Sequence, residues 1–118
     1  MSRHEEDDEQ KAFIQWLTIK NIFFFSVPNG AVLKGNAMQR ARQMNQLKAS
    51  GFRNGVADVI VMIKDKVLFI EMKKKKGGRQ SESQKQFEKD VSVFDYCEYF
   101  VANGSKEAIE IVSEINKG

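Results

Sequence analysis

Gly55-Val56-Ala57-Asp58-Val59-Ile60-Val61-Met62-Ile63-Lys64-Asp65-Lys66-Val67-Leu68-Phe69-Ile70-Glu71-Met72-Lys73 is the stretch whose reading decides the fold. Two short apolar runs, Val59–Ile63 and Val67–Ile70, flank Lys64-Asp65-Lys66 and read as the strands and turn of a hairpin. Strand side chains alternate faces. Glu71 and Lys73 therefore share one face, while Leu68, Ile70 and Met72 line the other. Asp58 falls on the face of Ile60 and Met62. With an even-numbered turn, Asp58 is expected opposite Lys73 and Ile60 opposite Glu71, so three charged groups converge at one end of the hairpin. An odd turn without a bulge would send Asp58 to the wrong face. The turn lacks the Asn-Gly pair that fixes a two-residue loop, so parity is inferred.

Two carboxylates at that spacing suit a hard divalent cation such as Mg2+ or Mn2+, which prefers oxygen ligands and keeps several waters. Asp58 and Glu71 are the expected ligands. The carbonyl of Met72, between Glu71 and Lys73, is placed to add a third oxygen. A cation held there polarises a phosphate, and the Lys73 ammonium can orient an attacking water or neutralise charge on the phosphate. A salt bridge at a strand end would use the same residues.

Flanking helices add two candidates. Glu5–Lys20 reads as an amphipathic helix in which Phe13, Trp16, Leu17 and Lys20 follow Glu9 at helical spacing. Glu9 thus lies on the inward line near the N-terminal end, where acids also favour the helix electrostatically. Gln84 precedes Phe87, Val91 and Phe94 on an apolar helical face, and Ser81-x-x-Gln84 also reads as a capping box.

In this order, Glu9, Asp58, Glu71-x-Lys73 and Gln84 resemble the PD-(D/E)xK nuclease superfamily. Within it the chain most resembles the VRR-NUC family, the virus-type replication-repair nucleases, in compact stand-alone form. The resemblance runs from Glu9 to the last helix and includes Asn29-Gly30 after a short strand, Gly55-x-x-Asp58, Phe69-Ile70-Glu71-x-Lys73 and Gln84-x-x-Phe87. Ala57 stands where the motif's proline usually is; that proline shapes the backbone and carries no chemistry. The resemblance implies a restriction-endonuclease-like α/β sandwich with a central mixed sheet flanked by helices. It also implies a metal-dependent DNA endonuclease with Glu9, Asp58, Glu71, Lys73 and Gln84 as catalytic residues. Compact members are similar to homodimeric enzymes on branched DNA, which implies a four-way (Holliday) junction as substrate and a homodimer as the assembly.

The chain has 118 residues, 42% of them hydrophobic and nine of them Phe. That bounds one domain, residues 1–118, with one modest core. Cys97 is the only cysteine, so no internal disulfide can form, as expected in a reducing compartment. His4 is the only histidine, which excludes a histidine-metal cluster or a histidine-based triad. No apolar run approaches the roughly 20 residues a membrane helix needs, and the acidic N-terminus resembles no signal peptide. The expected location is the cytoplasm, an intracellular and reducing setting, for a protein of a virus or of its host cell.

The net charge of +3 conceals a segregated pattern. Lys34, Arg40, Arg42, Lys48 and Arg53 lie in a segment without an acid, and Lys73, Lys74, Lys75, Lys76 and Arg79 follow in a second cluster around Gly77-Gly78. A basic surface around an acidic pocket suits a phosphate backbone, and these residues other than Lys73, together with Asn29, are the expected DNA contacts. A solvated lysine loop would look similar.

The expected elements are helix Glu5–Lys20, strand Phe23–Val27, helix Asn36–Ala49, strands Asp58–Ile63 and Val67–Met72, helix Ser83–Phe94, strand Tyr96–Val101 and helix Ser105–Asn116. The last strand can join the sheet in parallel through the Ser83–Phe94 crossover. Two function classes fit: a divalent-metal-dependent DNA endonuclease, and a noncatalytic nucleic-acid-binding module with a vestigial pocket. The intact Asp58, Glu71 and Lys73 favour the enzyme, because a pure binder gains nothing from two acids beside phosphates.

Overall fold

A computed structural model describes residues 2–28 and 33–117 of the chain. Helix α1 (Ser2–Ile19) leads into β1 (Phe23–Ser26), α2 (Ala37–Ala49), the hairpin β2 (Val59–Ile63) and β3 (Lys66–Lys73), then α3 (Glu82–Val91), β4 (Cys97–Asn103) and α4 (Ser105–Lys117). Every boundary lies within three residues of the sequence expectation.

The strands form one mixed sheet in the order β1-β2-β3-β4 among the described residues. β1, β2 and β3 are successive antiparallel neighbours, and β4 joins β3 in parallel after the α3 crossover. Val59, Val61 and Ile63 of β2 and Leu68, Ile70 and Met72 of β3 point to one face, where they meet Phe13 and Leu17 of α1 and Ala108 and Val112 of α4. Full burial of one such large apolar side chain contributes about 1.5–3 kcal/mol relative to exposure. On the opposite face α3 covers β3 and β4, with Phe87 packed edge-on against Phe69 and tilted against Tyr99.

The hairpin differs from expectation in register. Ile63 pairs with Lys66 and Val59 with Ile70, so the turn is the two-residue Lys64-Asp65 with Lys66 already in the strand. Continuing that register sets Asp58 opposite Glu71, not Lys73, and Ile60 opposite Phe69. The turn is even, as the convergence of charges required, but centred one residue earlier. Lys64 takes a positive φ of 55° to close it. Parity holds, and Asp58, Glu71 and Lys73 keep their common face.

Local chemistry sets several helix ends. α1 stops where Asn21 adopts φ 59°, with Asn21 N–H donating to Thr18 O and Ile22 N–H to Leu17 O. This is the Schellman pattern, and its two apolar partners Leu17 and Ile22 are both buried. α3 ends at Val91, three residues short of its expected limit, with Ser92 as its C-cap and Ser92 Oγ donating to Glu88 O at 2.6 Å. Phe94 is therefore off the helix and 47% exposed. α2 begins at a complete capping box, Asn36 with Gln39, yet none of its residues is buried. No helix is long and apolar enough to cross a membrane among the described residues.

Candidate active site

The start of β2 and the end of β3 bring the charged groups together. Asp58 Oδ2 accepts the backbone N–H of Met72 at 2.8 Å, which fixes this carboxylate across the opening of the hairpin. Glu71 is only 3% exposed. Its Oε2 accepts from Gln84 Nε2 at 2.7 Å and lies 3.5 Å from Lys73 Nζ. Its Oε1 is buried and has no hydrogen-bond partner. Burial first, and then the neighbouring Asp58 charge, push the Glu71 carboxyl up to about 8, although Lys73 acts against the rise.

A cleft of about 390 Å³ opens onto this cluster, lined among others by Asp58, Glu71, Lys73, Gln84, Ser83 and Glu6. Its wall from Phe52 to Val56 is held close to α3. Gly55 has φ +84°, and a Cβ there would stand 2.2 Å from Ser83 O. This gives the Gly55-x-x-Asp58 spacing its physical reason: only glycine lets the chain pass the first turn of α3 and deliver Asp58 to β2.

The donor set fits a hard divalent cation. A buried carboxylate oxygen lacks a partner, and its neighbour is a second carboxylate whose charge it must otherwise oppose. In a strand the N–H and C=O of one residue point to the same edge, so the Met72 carbonyl lies toward Asp58 along with its amide. No group of three His, Cys, Asp or Glu able to hold a metal occurs among the described residues. Two carboxylates, a carbonyl, waters and a phosphate oxygen form the kind of incomplete protein shell that Mg2+ accepts.

Gln84 both caps α3 and reaches the charged cluster. Its Oε1 accepts the Ser81 N–H at 2.8 Å, and its N–H accompanies it in the box by donating to Ser81 Oγ, while Nε2 holds Glu71. Glu9 does not join the cluster. Its Oε1 accepts the Ser105 N–H at 2.6 Å, and its Oε2 lies 3.8 Å from Lys75 Nζ. The hydrogen bond from Ser105 holds the Glu9 carboxyl below its ordinary range, helped by Lys75. Glu9 thus ties α1 to the start of α4, and Glu6, one turn earlier, is the α1 acid that lines the cleft. Glu6 and Glu9 both fall at helical spacing from Phe13, so the sequence signal for Glu6 was present but shared.

The basic residues divide as well. Arg42, Lys48, Lys76 and Arg79 are exposed. Arg40 is exposed with Nη1 donating to Gly35 O, and Lys34 is exposed with its backbone held by Gln43. Arg53 is paired with Asp90 and lies 5.8 Å over the Phe87 ring, so it pins the cleft wall to α3. Lys74 is half-buried, and Lys75 is bound to Glu9 with its N–H also donating to Glu5. Asn29 lies outside the described residues.

No protein-family model and no curated protein matches the sequence. Among solved structures, one described as a VRR_NUC domain protein superposes with a TM-score of 0.74 at 20% sequence identity, covering 96% of this chain and 88% of that one. The chain has the VRR-NUC domain fold. The likeness takes in nearly all of this chain, and so its mixed four-stranded sheet with the helices that flank it.

Proposed function

We propose that the protein is a divalent-metal-dependent DNA endonuclease that uses Mg2+ or Mn2+, selects branched duplexes such as four-way junctions, and works as a homodimer. The observation that carries this reading is the buried Glu71, with one unpartnered oxygen, facing Asp58 and Lys73 at the end of an open cleft. Asp58, Glu71 and the Met72 carbonyl would hold the cation, which supplies Lewis acidity toward the scissile phosphate.

The remaining work falls to side chains of this chain. Lys73 Nζ, drawn in by Glu71, is set to orient the attacking water and to offset charge that builds on the phosphate. Gln84 fixes the Glu71 carboxylate from the first turn of α3, so the acid keeps one orientation while substrate enters. The exposed cations of α2 and of the segment after β3 would hold the flanking backbone. The dimer reading is supported by apolar surface left uncovered on the β1 side of the sheet, where Phe23, Phe25 and Met62 are 64%, 44% and 42% exposed on one face.

The test is cleavage of linear, flapped and four-way DNA with magnesium, manganese or EDTA. Cleavage is expected with either metal, fastest on the four-way substrate, and absent in EDTA. Asp58→Ala and Glu71→Ala should abolish it while DNA binding persists or tightens, because each removes a ligand and a charge that repels phosphate. Wild-type rates in either variant would sink the assignment.

A further inference from the structure

The helix that the fold explains least is α2. Among the described residues it buries none of its 13 residues, and no strand or helix packs extensively against it. Such a helix gains little from tertiary burial; its stability comes from its capping box and helix-favouring sequence. Its composition is unlike a merely solvated helix, which normally mixes both charge signs. It carries Arg40, Arg42 and Lys48, the amides Gln39, Gln43, Asn45 and Gln46, and no acid.

Its faces are not equivalent. Met44 lines the cleft beside Asp58 and Glu71. Arg40 and Lys48, four residues to either side, lie on the same line of the helix. At 3.6 residues per turn, Asn45 and Arg42 stand about 100° and about 160° round from Met44 in one sense. Gln43 stands about 100° round in the other. The Gln43 flank is covered, because its amide holds both Lys34 N and Lys34 O at 3.1 and 2.7 Å. The flank with Arg42 and Asn45 is open, and neither side chain has a hydrogen bond or ion pair among the described residues.

We propose that α2 lies in the major groove of duplex DNA and reads base edges beside the cut, with Arg42 directed at guanine and Asn45 at adenine. The position of the cut rests on the nuclease reading above. The geometry is compatible: the major groove admits one α-helix, a 13-residue helix is about 20 Å long, and Arg and Asn are the side chains that bond bidentately to guanine and adenine there. With α2 in the groove, Arg40 and Lys48 on the cleft side meet the phosphates of the strand that runs over Asp58 and Glu71, and the open flank turns toward the bases. The acid-free surface makes DNA a better occupant than the α2 of a second copy of this chain, which is equally basic.

The test is selection of bound duplexes from a pool with a randomised core, in EDTA so that binding is read without cleavage, followed by sequencing. Wild-type protein should enrich guanine and adenine at a fixed spacing. Arg42→Ala should erase the guanine preference and Asn45→Ala the adenine preference, each with roughly a 5- to 100-fold loss of discrimination. Thermal unfolding should be unchanged in both, since neither side chain is buried. An unenriched wild-type pool, or enrichment identical in wild type and both variants, overturns the proposal. So does a variant that loses mass in light scattering while keeping the preference, which would mark α2 as a contact between copies. Parallel cleavage in magnesium separates the two readings. Enrichment without cleavage defeats the nuclease and keeps the groove-reading helix; cleavage without enrichment does the reverse.

Discussion

Glu71 concentrates the chemistry of the site in one side chain. Its carboxyl is pushed up to about 8 from an ordinary 4.5, chiefly by burial and then by Asp58. Between those values the unfolded chain has released a proton that the folded protein still holds. The native state then binds more protons, so metal-free protein should lose stability as pH rises through this window. Thermal unfolding followed from about pH 5 to about pH 9 in EDTA should show the decline, and Glu71→Gln should flatten it. Magnesium should reverse the decline at the alkaline end, because it binds the ionised carboxylate. A second contrast at this scale separates Glu6 from Glu9. Glu6→Ala should slow cleavage, since Glu6 lines the cleft. Glu9→Ala should lower stability by about 1–2 kcal/mol through the lost Ser105 bond and leave cleavage largely intact. Unfolding midpoints and rates measured together decide it; a slower Glu9 variant of unchanged stability would return Glu9 to the catalytic set.

The elements were readable wherever a local signal governed them. β2 and β3 announce themselves as apolar runs, and Ser81 begins α3 through the Ser81-x-x-Gln84 capping box visible in sequence. The hairpin register was only half readable. Alternation fixes which faces the acids share, but Lys64-Asp65-Lys66 carries no residue that selects a two-residue turn over a longer one. The pairing of Lys66 with Ile63 decided it, and with it that Asp58 faces Glu71. The dual use of Gln84 was also beyond local reading, since its bond to Glu71 exists only after β3 and α3 pack. Gly55 gives this scale its prediction. A methyl at Gly55 meets Ser83 O at 2.2 Å under a φ of +84°, so Gly55→Ala must displace either the loop or the first turn of α3. Gln84 sits in that turn, so cleavage should fall by tenfold or more together with a loss of about 1–3 kcal/mol of stability. Denaturant titration alongside the cleavage assay reads both, and unaltered activity would show that the approach is not needed to shape the cleft.

For the whole molecule the distribution of charge matters more than its sum. Phosphate contacts release condensed counterions, so log affinity should fall linearly with log salt by about 0.9 per contact on duplex DNA. Replacing Lys74, Lys75 and Lys76 together by Ala removes three cations, but Lys75 is already bound to Glu9. The slope per protomer should therefore flatten by about 1.8 instead of about 2.7. A salt titration of binding to four-way and linear duplexes measures this, and an unchanged slope would exclude the segment from the contact surface. The homodimer has its own measurement. Phe23→Asp with Phe25→Asp should reduce the mass in light scattering to one chain, because charge would replace the exposed edge aromatics. A wild-type protein that is already a monomer and cuts both substrates equally would remove the junction selectivity.

The sequence by itself determined the order of elements and the faces of the hairpin, and so the side that Asp58, Glu71 and Lys73 share, while the sandwich architecture was what the family resemblance implied. The order and the faces follow from period-two alternation, capping residues or spacing along a few residues of chain, so no long-range contact is needed to read them. Tertiary structure decided which of several equivalent acids on α1 reaches the cleft, which cations stay free, and how the strands are offset. Glu6 and Glu9 lie on the same side of α1, about 60° apart, and only the docking of α1 against α4 assigns Glu9 to the Ser105 N–H. Arg53 and Arg42 look alike in sequence, but the packing of the loop on α3 neutralises Arg53 with Asp90 and leaves Arg42 open. Local periodicity specifies the direction in which a side chain points; what it meets there depends on contacts between residues far apart in the chain.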